Sequence, residues 1–238
     1  MTERAIRLHS PAELTAGAPF ALDARAAHYV ARVMRARSGD VVRLFNARDG
    51  EWRAELAVAK REVTAAPLER VRAPAPEPGP VLAMAAIKRA RLELVVEKAT
   101  ELGVVALRPV ATERAVVDRV NRERLAAIAT EAAEQCERLT VLEVGELVPL
   151  QGWLAARAAA RPLYVALART DAAGLLDALA AHGPGDLLIG PEGGFGAAEG
   201  ATLAASPGVV TVGLGPRVLR AETAAIAGLA AMALRMSG

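Results

Sequence analysis

Two stretches toward the C-terminal end constrain the fold more than the rest of the chain: Leu187–Gly200 (LLIGPEGGFGAAEG) and Val212–Met232 (VGLGPRVLRAETAAIAGLAAM). Each runs from a short apolar strand into glycines and a proline, then into helix-forming sequence. A strand that ends this way opens its backbone at the carboxyl edge of a sheet, where ligands of open α/β sheets bind. Two such corners close together, the second carrying Arg220, Glu222 and Thr223, point to a ligand pocket. Simple tight turns, with glycine supplying positive φ and proline fixing φ, account for one corner better than for the pair.

The glycine spacing excludes common alternatives. Gly190, Gly193, Gly194 and Gly196 do not make the G-x-G-x-x-G pattern that opens a dinucleotide-binding helix, and Gly213-Leu214-Gly215 lacks the third glycine. A G-x-x-x-x-G-K-[ST] phosphate loop occurs nowhere in the chain. A pocket for a dinucleotide or nucleoside triphosphate is therefore not expected.

With 238 residues, 53% hydrophobic but 3% aromatic, the chain can bury a sizeable core built from Ala, Val and Leu. The longest apolar run, Thr223–Leu234, is too short and alanine-rich for a bilayer span and reads as a buried helix. A polar start (MTERAIRLHS) and a single cysteine, Cys136, favour a cytoplasmic protein without disulfides. His9, His28 and His182 are too scattered to suggest a metal site.

Net charge is only +2, yet lysine occurs just three times among 29 basic residues. Arginine pairs bidentately with phosphate and stacks on bases, and arginines outnumber acids over residues 1–72. That bias suggests an anionic partner, nucleic acid first. A solvated surface of an arginine-rich chain is the plainer alternative.

Periodicity divides the chain. Residues 1–72 read as a small β-barrel domain, with strands near Ala5–His9, Val41–Phe45, Trp52–Ala59 and Glu62–Val71 and one helix over Asp23–Arg35 with Ala27, Val30 and Met34 on one face. Residues 73–80 (APAPEPGP) read as a semi-rigid linker. Residues 81–238 alternate strands and helices, which predicts an α/β domain with a mostly parallel sheet covered on both faces. Its helices include Arg89–Leu102, closed by Gly103, and Arg122–Arg138, capped by Asn121 with a Glu134/Arg138 pair one turn apart.

The segments IGPEGGF, LGPRVLRAETA, KRARLELVVEKATELGV, ATERAVV and EAAEQCER together closely resemble the bacterial 16S ribosomal RNA uridine N3-methyltransferases, a family of the SPOUT class. The RVMRARSGD stretch is similar to that family's PUA-like RNA-binding domain. The resemblance implies a deep trefoil knot in the C-terminal domain, S-adenosyl-L-methionine bound by the knot's loops, a homodimer and a 16S rRNA or small-subunit substrate. No metal and no membrane are implied.

Carried over by position, Leu188, Ile189, Gly190, Pro191, Glu192, Gly193 and Gly194 would form one wall of the donor site. Val212, Leu214 and Gly215 would form the second, with Val218, Leu219, Thr223 and Ala224 closing it and Leu167 reaching in from its strand. The strand around Leu167 holds alanines where relatives often carry a polar or histidine position. Side chains at Gly193, Gly194 and Gly215 would obstruct close backbone approach.

The implied reaction displaces a sulfonium methyl with N3 of a uracil, so charge spreads onto the flanking carbonyl oxygens. Arg220 is the candidate that stabilises them, and it cannot be the base. Glu222, Glu192 or solvent would take the proton; Glu222 could instead serve the helix N-terminus. Arg4, Arg7, Arg32, Arg35, Lys88, Arg89 and Arg91 are candidates for a phosphate track. Another RNA target for the same fold, or a non-catalytic ribosome-assembly role, are the competing readings.

Overall fold

A computed structural model describes residues 6–59, 62–115, 117–168 and 171–236. The chain divides into two compact units: Met1–Glu77 with Ala133–Val141, and Pro78–Ala132 with Leu142–Gly238.

In the first unit, β1 (Arg7–His9), β2 (Phe20–Ala21), β3 (Val41–Asn46), β4 (Gly50–Val58) and β5 (Val63–Arg72) form one sheet in the order β1-β3-β4-β5-β2. Period-two alternation buries Val42, Leu44, Ala54, Leu56, Val63 and Ala65 together on one face. Asp23 caps α1 (Ala24–His28) by accepting the Ala26 N–H. The helix then widens into a π-helical turn over Tyr29–Val33. This corrects the expected uniform helix over Asp23–Arg35. The wider turn shifts the phase, so Ala26 and Val30 are buried while Met34 is 44% exposed. Arg35 then adopts a left-handed φ of 54°.

Arginines in this unit largely face its own acids. The Arg7 guanidinium lies 3.5 Å from the Phe45 ring centroid. It donates to Glu51 at 3.1 Å and to the carbonyls of Ala133 and Arg138 at 2.7 Å. Arg7 is therefore an internal strut and not part of a phosphate track, a correction that follows from its burial. Glu51 also pairs with Arg43 and Arg72, while Arg25, Arg48 and Arg53 pair with Glu134, Asp49 and Glu69.

The expected Glu134/Arg138 pair is not formed. Helix α3 (Arg122–Gln135) ends first, and Glu137 turns the chain with a φ of 63°. Glu134 instead accepts the His9 N–H, and Arg138 pairs with Glu77 at 3.3 Å. Glu77, within the proline-rich segment, also accepts the N–H groups of Leu139 at 2.9 Å and Thr140 at 3.1 Å, plus the Thr140 hydroxyl.

The second unit holds β6 (Val81–Ala85), β7 (Ala106–Ala111), β8 (Glu143–Val144), β9 (Val148–Pro149), β10 (Leu163–Ala166), β11 (Asp186–Ile189) and β12 (Val209–Val212). They form an all-parallel sheet in the order β12-β10-β11-β6-β7-β8, with β9 also beside β7. Its other helices are α2 (Arg89–Glu101), α4 (Leu150–Ala156), α5 (Leu175–His182), α6 (Ala197–Ala205) and α7 (Ala221–Met236).

Alternation along the strands explains two covered faces. Leu188 packs with Ala83, Val110, Leu163 and Val165, and with Leu150 of α4 and Leu203 of α6. Its neighbour Leu187 points the other way, against Gly228 of α7, where a Cβ would approach it to 2.9 Å. Tyr164, Leu187, Leu82 and Leu107 stand in register on that second face, and all are fully buried. α7 in turn packs on α2 and α5. The Tyr164 hydroxyl donates to the Gly183 carbonyl, and burial raises its pKa. No helix is long and apolar enough to cross a membrane among the described residues.

Glu77 yields a pH-dependent prediction. Burial raises its pKa, but hydrogen bonds from Thr140, Leu139 and Arg138 outweigh burial and leave it below the ordinary 4.5. Its folded pKa is below the unfolded one, so it stabilises above about pH 4.5 and that contribution is lost as pH falls through the folded value. Denaturant unfolding should lose stability more steeply in wild type than in Glu77→Gln between pH 6 and 3.5 (about those limits). At neutral pH the variant should be weaker by about 1–3 kcal/mol.

Candidate functional site

The site begins with strand register. Ala166 at the end of β10 pairs with Ile189 at the end of β11 and with Val212 at the end of β12. Three parallel strands therefore release their loops at one carboxyl edge, the position where α/β sheets open a crevice. The loops, with the first turn of α7, enclose a cleft of about 110 Å³.

Of the expected donor-site residues, Leu167, Ile189, Gly190, Pro191, Glu192, Gly194, Leu214, Gly215, Val218, Leu219 and Ala224 line this cleft. Leu188 and Val212 are fully buried strand residues outside the lining. Thr223 is exposed on α7 away from the lining, and Gly193 lies outside it. The lining also contains Ala166, Ala168, Phe195, Arg217 and Ala221, which sequence reasoning did not single out. Phe195 follows the glycines directly, and an aromatic beside an open backbone loop was the available signal.

The glycines work differently from the expectation. Gly194 and Gly215 have φ of 70° and 101° and open space where a Cβ would stand. Conformation, not crowding, requires glycine there. A Cβ on Gly193 would make ordinary contact with Arg114 at 3.4 Å. The crowded positions are Gly190, whose Cβ would come within 3.0 Å of the Phe195 ring, and Gly196, whose Cβ would fall on the Glu113 carboxylate.

Carboxylates and arginines brace the loops. Buried Glu199 accepts the Gly196 N–H that starts α6 and the Glu113 N–H, both at 2.8 Å. This G-x-x-E capping pattern is legible in sequence. Arg114 donates to the Gly193 carbonyl at 3.0 Å. Arg91, expected on a phosphate track, lies 3.3 Å from Glu192 and 3.5 Å from Glu222, linking the second loop to α7.

The proposed pair Arg220 and Glu222 is not an ion pair. Arg220 is exposed, and its guanidinium makes no ion pair with the described residues. Glu222 has one oxygen toward Arg91, while Oε2 is buried without a partner among the described residues. Among the other candidate RNA contacts, Arg32, Arg35, Lys88 and Arg89 are exposed, with Arg89 donating to Glu93 at 2.7 Å. Arg4 lies outside the described residues. No metal-holding group of His, Cys, Asp or Glu occurs among the described residues.

Comparison with known proteins gives this geometry a context. Two family models match: an RNA methyltransferase domain over residues 76–233 and an RNA methyltransferase PUA domain over residues 22–68. Ribosomal RNA small subunit methyltransferase E of Rickettsia conorii is 33% identical over 87% of this chain and 86% of its own. The Bacillus subtilis protein of that name is 34% identical over 90% and 89%. Among solved structures, the Neisseria gonorrhoeae ribosomal RNA small subunit methyltransferase E bound to S-adenosyl methionine superposes with a TM-score of 0.86, at 28% identity and 98% coverage of both chains. A Legionella pneumophila methyltransferase with bound cofactor SAM gives 0.87, at 30% identity and 98% coverage of both. The chain belongs to the ribosomal RNA small subunit methyltransferase E family.

Proposed function

We propose that this protein transfers a methyl group from S-adenosyl-L-methionine to N3 of a uridine in 16S rRNA. The observation that carries the reading is the cleft itself, three loops at the carboxyl ends of adjacent parallel strands in the fold that relatives with bound S-adenosylmethionine share. The cleft's chemistry fits that donor. Ile189, Leu167, Leu214 and Phe195 offer apolar faces to a purine, and Gly194 and Gly215 leave main chain uncovered. Glu192 offers a carboxylate to a cationic sulfonium. When bound, the donor supplies an electrophilic methyl group on sulfur.

The chain's own residues then hold the acceptor. Exposed Arg220, immediately before the α7 turn that lines the cleft, donates to the uracil carbonyl oxygens as charge develops there. Glu222 takes the imide proton, while Arg91 holds its Oε1. Glu192 and solvent are the other acceptors of that proton. Most of the acceleration comes from orientation and from fixed donors, since no covalent enzyme intermediate is needed.

The same reading includes a trefoil-knotted threading, a homodimer and a cytoplasmic protein acting on 16S rRNA or the small subunit. Support for the dimer is exposed leucine on α2, α5 and α7, namely Leu94, Leu176 and Leu234. Residues 1–72 serve as the RNA-binding domain, residues 73–80 as the connection and residues 81–238 as the catalytic domain.

Calorimetry with S-adenosylmethionine and mass mapping of small-subunit RNA after incubation with donor test the reading. Donor binding and a new N3-methyluridine are expected; heat of binding without RNA methylation would leave only a binding protein. Arg220→Ala should keep donor affinity within about twofold and lower methyl transfer by about a hundredfold. Equal loss of both would make Arg220 a donor-site or folding residue. Glu199→Gln replaces one acceptor oxygen with a donor, so donor affinity should fall through loosening of the Gly190–Gly196 loop. A calorimetric titration matching wild type would remove that role.

A further inference from the structure

A second cavity, of about 400 Å³, opens where α2 and α3 begin, separate in its lining from the donor cleft. Its floor is apolar, made by Ile87, Leu92 and Leu125, each at most 4% exposed. Its rim is cationic. Arg89 and Arg124 share one acid, Glu93, at 2.7 and 3.5 Å, which leaves one positive charge in excess. Their side chains remain 77% and 47% exposed, so neither is closed off by the pairing. α2 begins with no acidic residue in its first turn and no side-chain cap, which adds to the positive field.

An apolar floor large enough for an aromatic ring, beneath planar forked donors, is complementary to a nucleotide. The base lies on the aliphatic side chains and the phosphate meets the guanidinium groups. Position on α2 says which nucleotide. Arg89 lines this cavity and Arg91 joins Glu192 and Glu222 beside the donor cleft. Two residues of helix rise only about 3 Å but turn about 200°, so the two sites lie on opposite sides of one helical turn. We propose that this cavity holds a nucleotide of the substrate RNA close to the uridine being methylated, with Arg89 and Arg124 on its phosphate. The inference rests on the RNA-methylating function proposed above and adds a second point of grip. That grip would hold the strand while the target base enters the cleft.

Two variants test it in the full chain. Arg124→Gln removes one fork but keeps the Arg124 N–H that Asn121 caps. Val120→Trp fills the cavity from a half-buried wall residue. Uridine 5′-monophosphate is titrated by NMR, calorimetry with S-adenosylmethionine reports the donor site, and steady-state methyl transfer is read on small-subunit RNA. Wild type should show nucleotide-dependent shifts at Leu92 and Val120. Both variants should lose the Leu92 shift, bind donor like wild type and raise KM for RNA about tenfold, as expected for loss of a phosphate contact or its base pocket.

The inference is overturned if wild type methylates RNA while both variants keep KM within twofold. It is also overturned if Val120→Trp splits a dimer in sedimentation and no nucleotide shift appears in wild type, because a second copy then covers the cavity. Should Val120→Trp fail to bind donor, Arg124→Gln alone decides by the same two readouts. If wild type methylates no RNA, the proposed function fails by itself. The monophosphate titration then still decides the cavity, with unshifted Leu92 and Val120 signals rejecting it.

Discussion

The in-register ends of β10, β11 and β12 are the constraint on which the site depends. Parallel strands need long crossover connections, so each can end in a loop of its own at the same edge. The buried row of Tyr164, Leu187, Leu82 and Leu107 holds that edge in place, because slipping one strand by a residue would turn each of its apolar side chains to the wrong face. Leu188 is bound by the same argument on the opposite face, beneath α4 and α6. The cleft's geometry therefore follows from packing on both sides of the sheet, and its lining begins at Ala166 and Ile189, two residues beyond Tyr164 and Leu187.

Given a fixed edge, the loops still need restraint, and acids and arginines supply it. Glu199 satisfies two backbone donors from separate segments at once, which buries a carboxylate without leaving its oxygens idle. Arg91 holds two acids that would otherwise repel each other across the mouth of the cleft. The same economy governs the first unit, where Glu51 gathers Arg7, Arg43 and Arg72. A chain rich in arginine uses much of it to organise its own backbone, and Arg7 makes the point by donating to two carbonyls of the Ala133–Val141 segment.

This explains what could be read from residues alone. The alternating run after Pro80 made the parallel sheet legible, and the paired glycine corners located the cleft, because both depend on local pattern. Bounds of the helices and strands shifted by a few residues, as at α3, which ends at Gln135 before Glu137 turns the chain. The π-helical turn at Tyr29–Val33 left no signature in spacing, so the inward face of that helix was misassigned. Arg7 and Arg91 stand among the phosphate-track candidates in sequence because their partners, Glu51 in one case and Glu192 and Glu222 in the other, lie far away along the chain. Charge bias is visible in composition; the pairing that cancels it is a tertiary fact.

The two glycine corners also divide their labour in a way that spacing could not reveal. Gly194 and Gly215 are needed for backbone hand, and their open surroundings leave main chain available to a ligand. Gly190 and Gly196 are needed for room: one lies against Phe195, and at the other a Cβ would fall on the Glu113 carboxylate. Substituting alanine at the first pair strains a turn, whereas at the second it displaces Phe195, which lines the cleft, or the Glu113 carboxylate. A loop built from both kinds of glycine is held rigid by its contacts and open by its conformation. That combination suits a pocket which grips a small donor through main-chain atoms while leaving one side free for a large RNA.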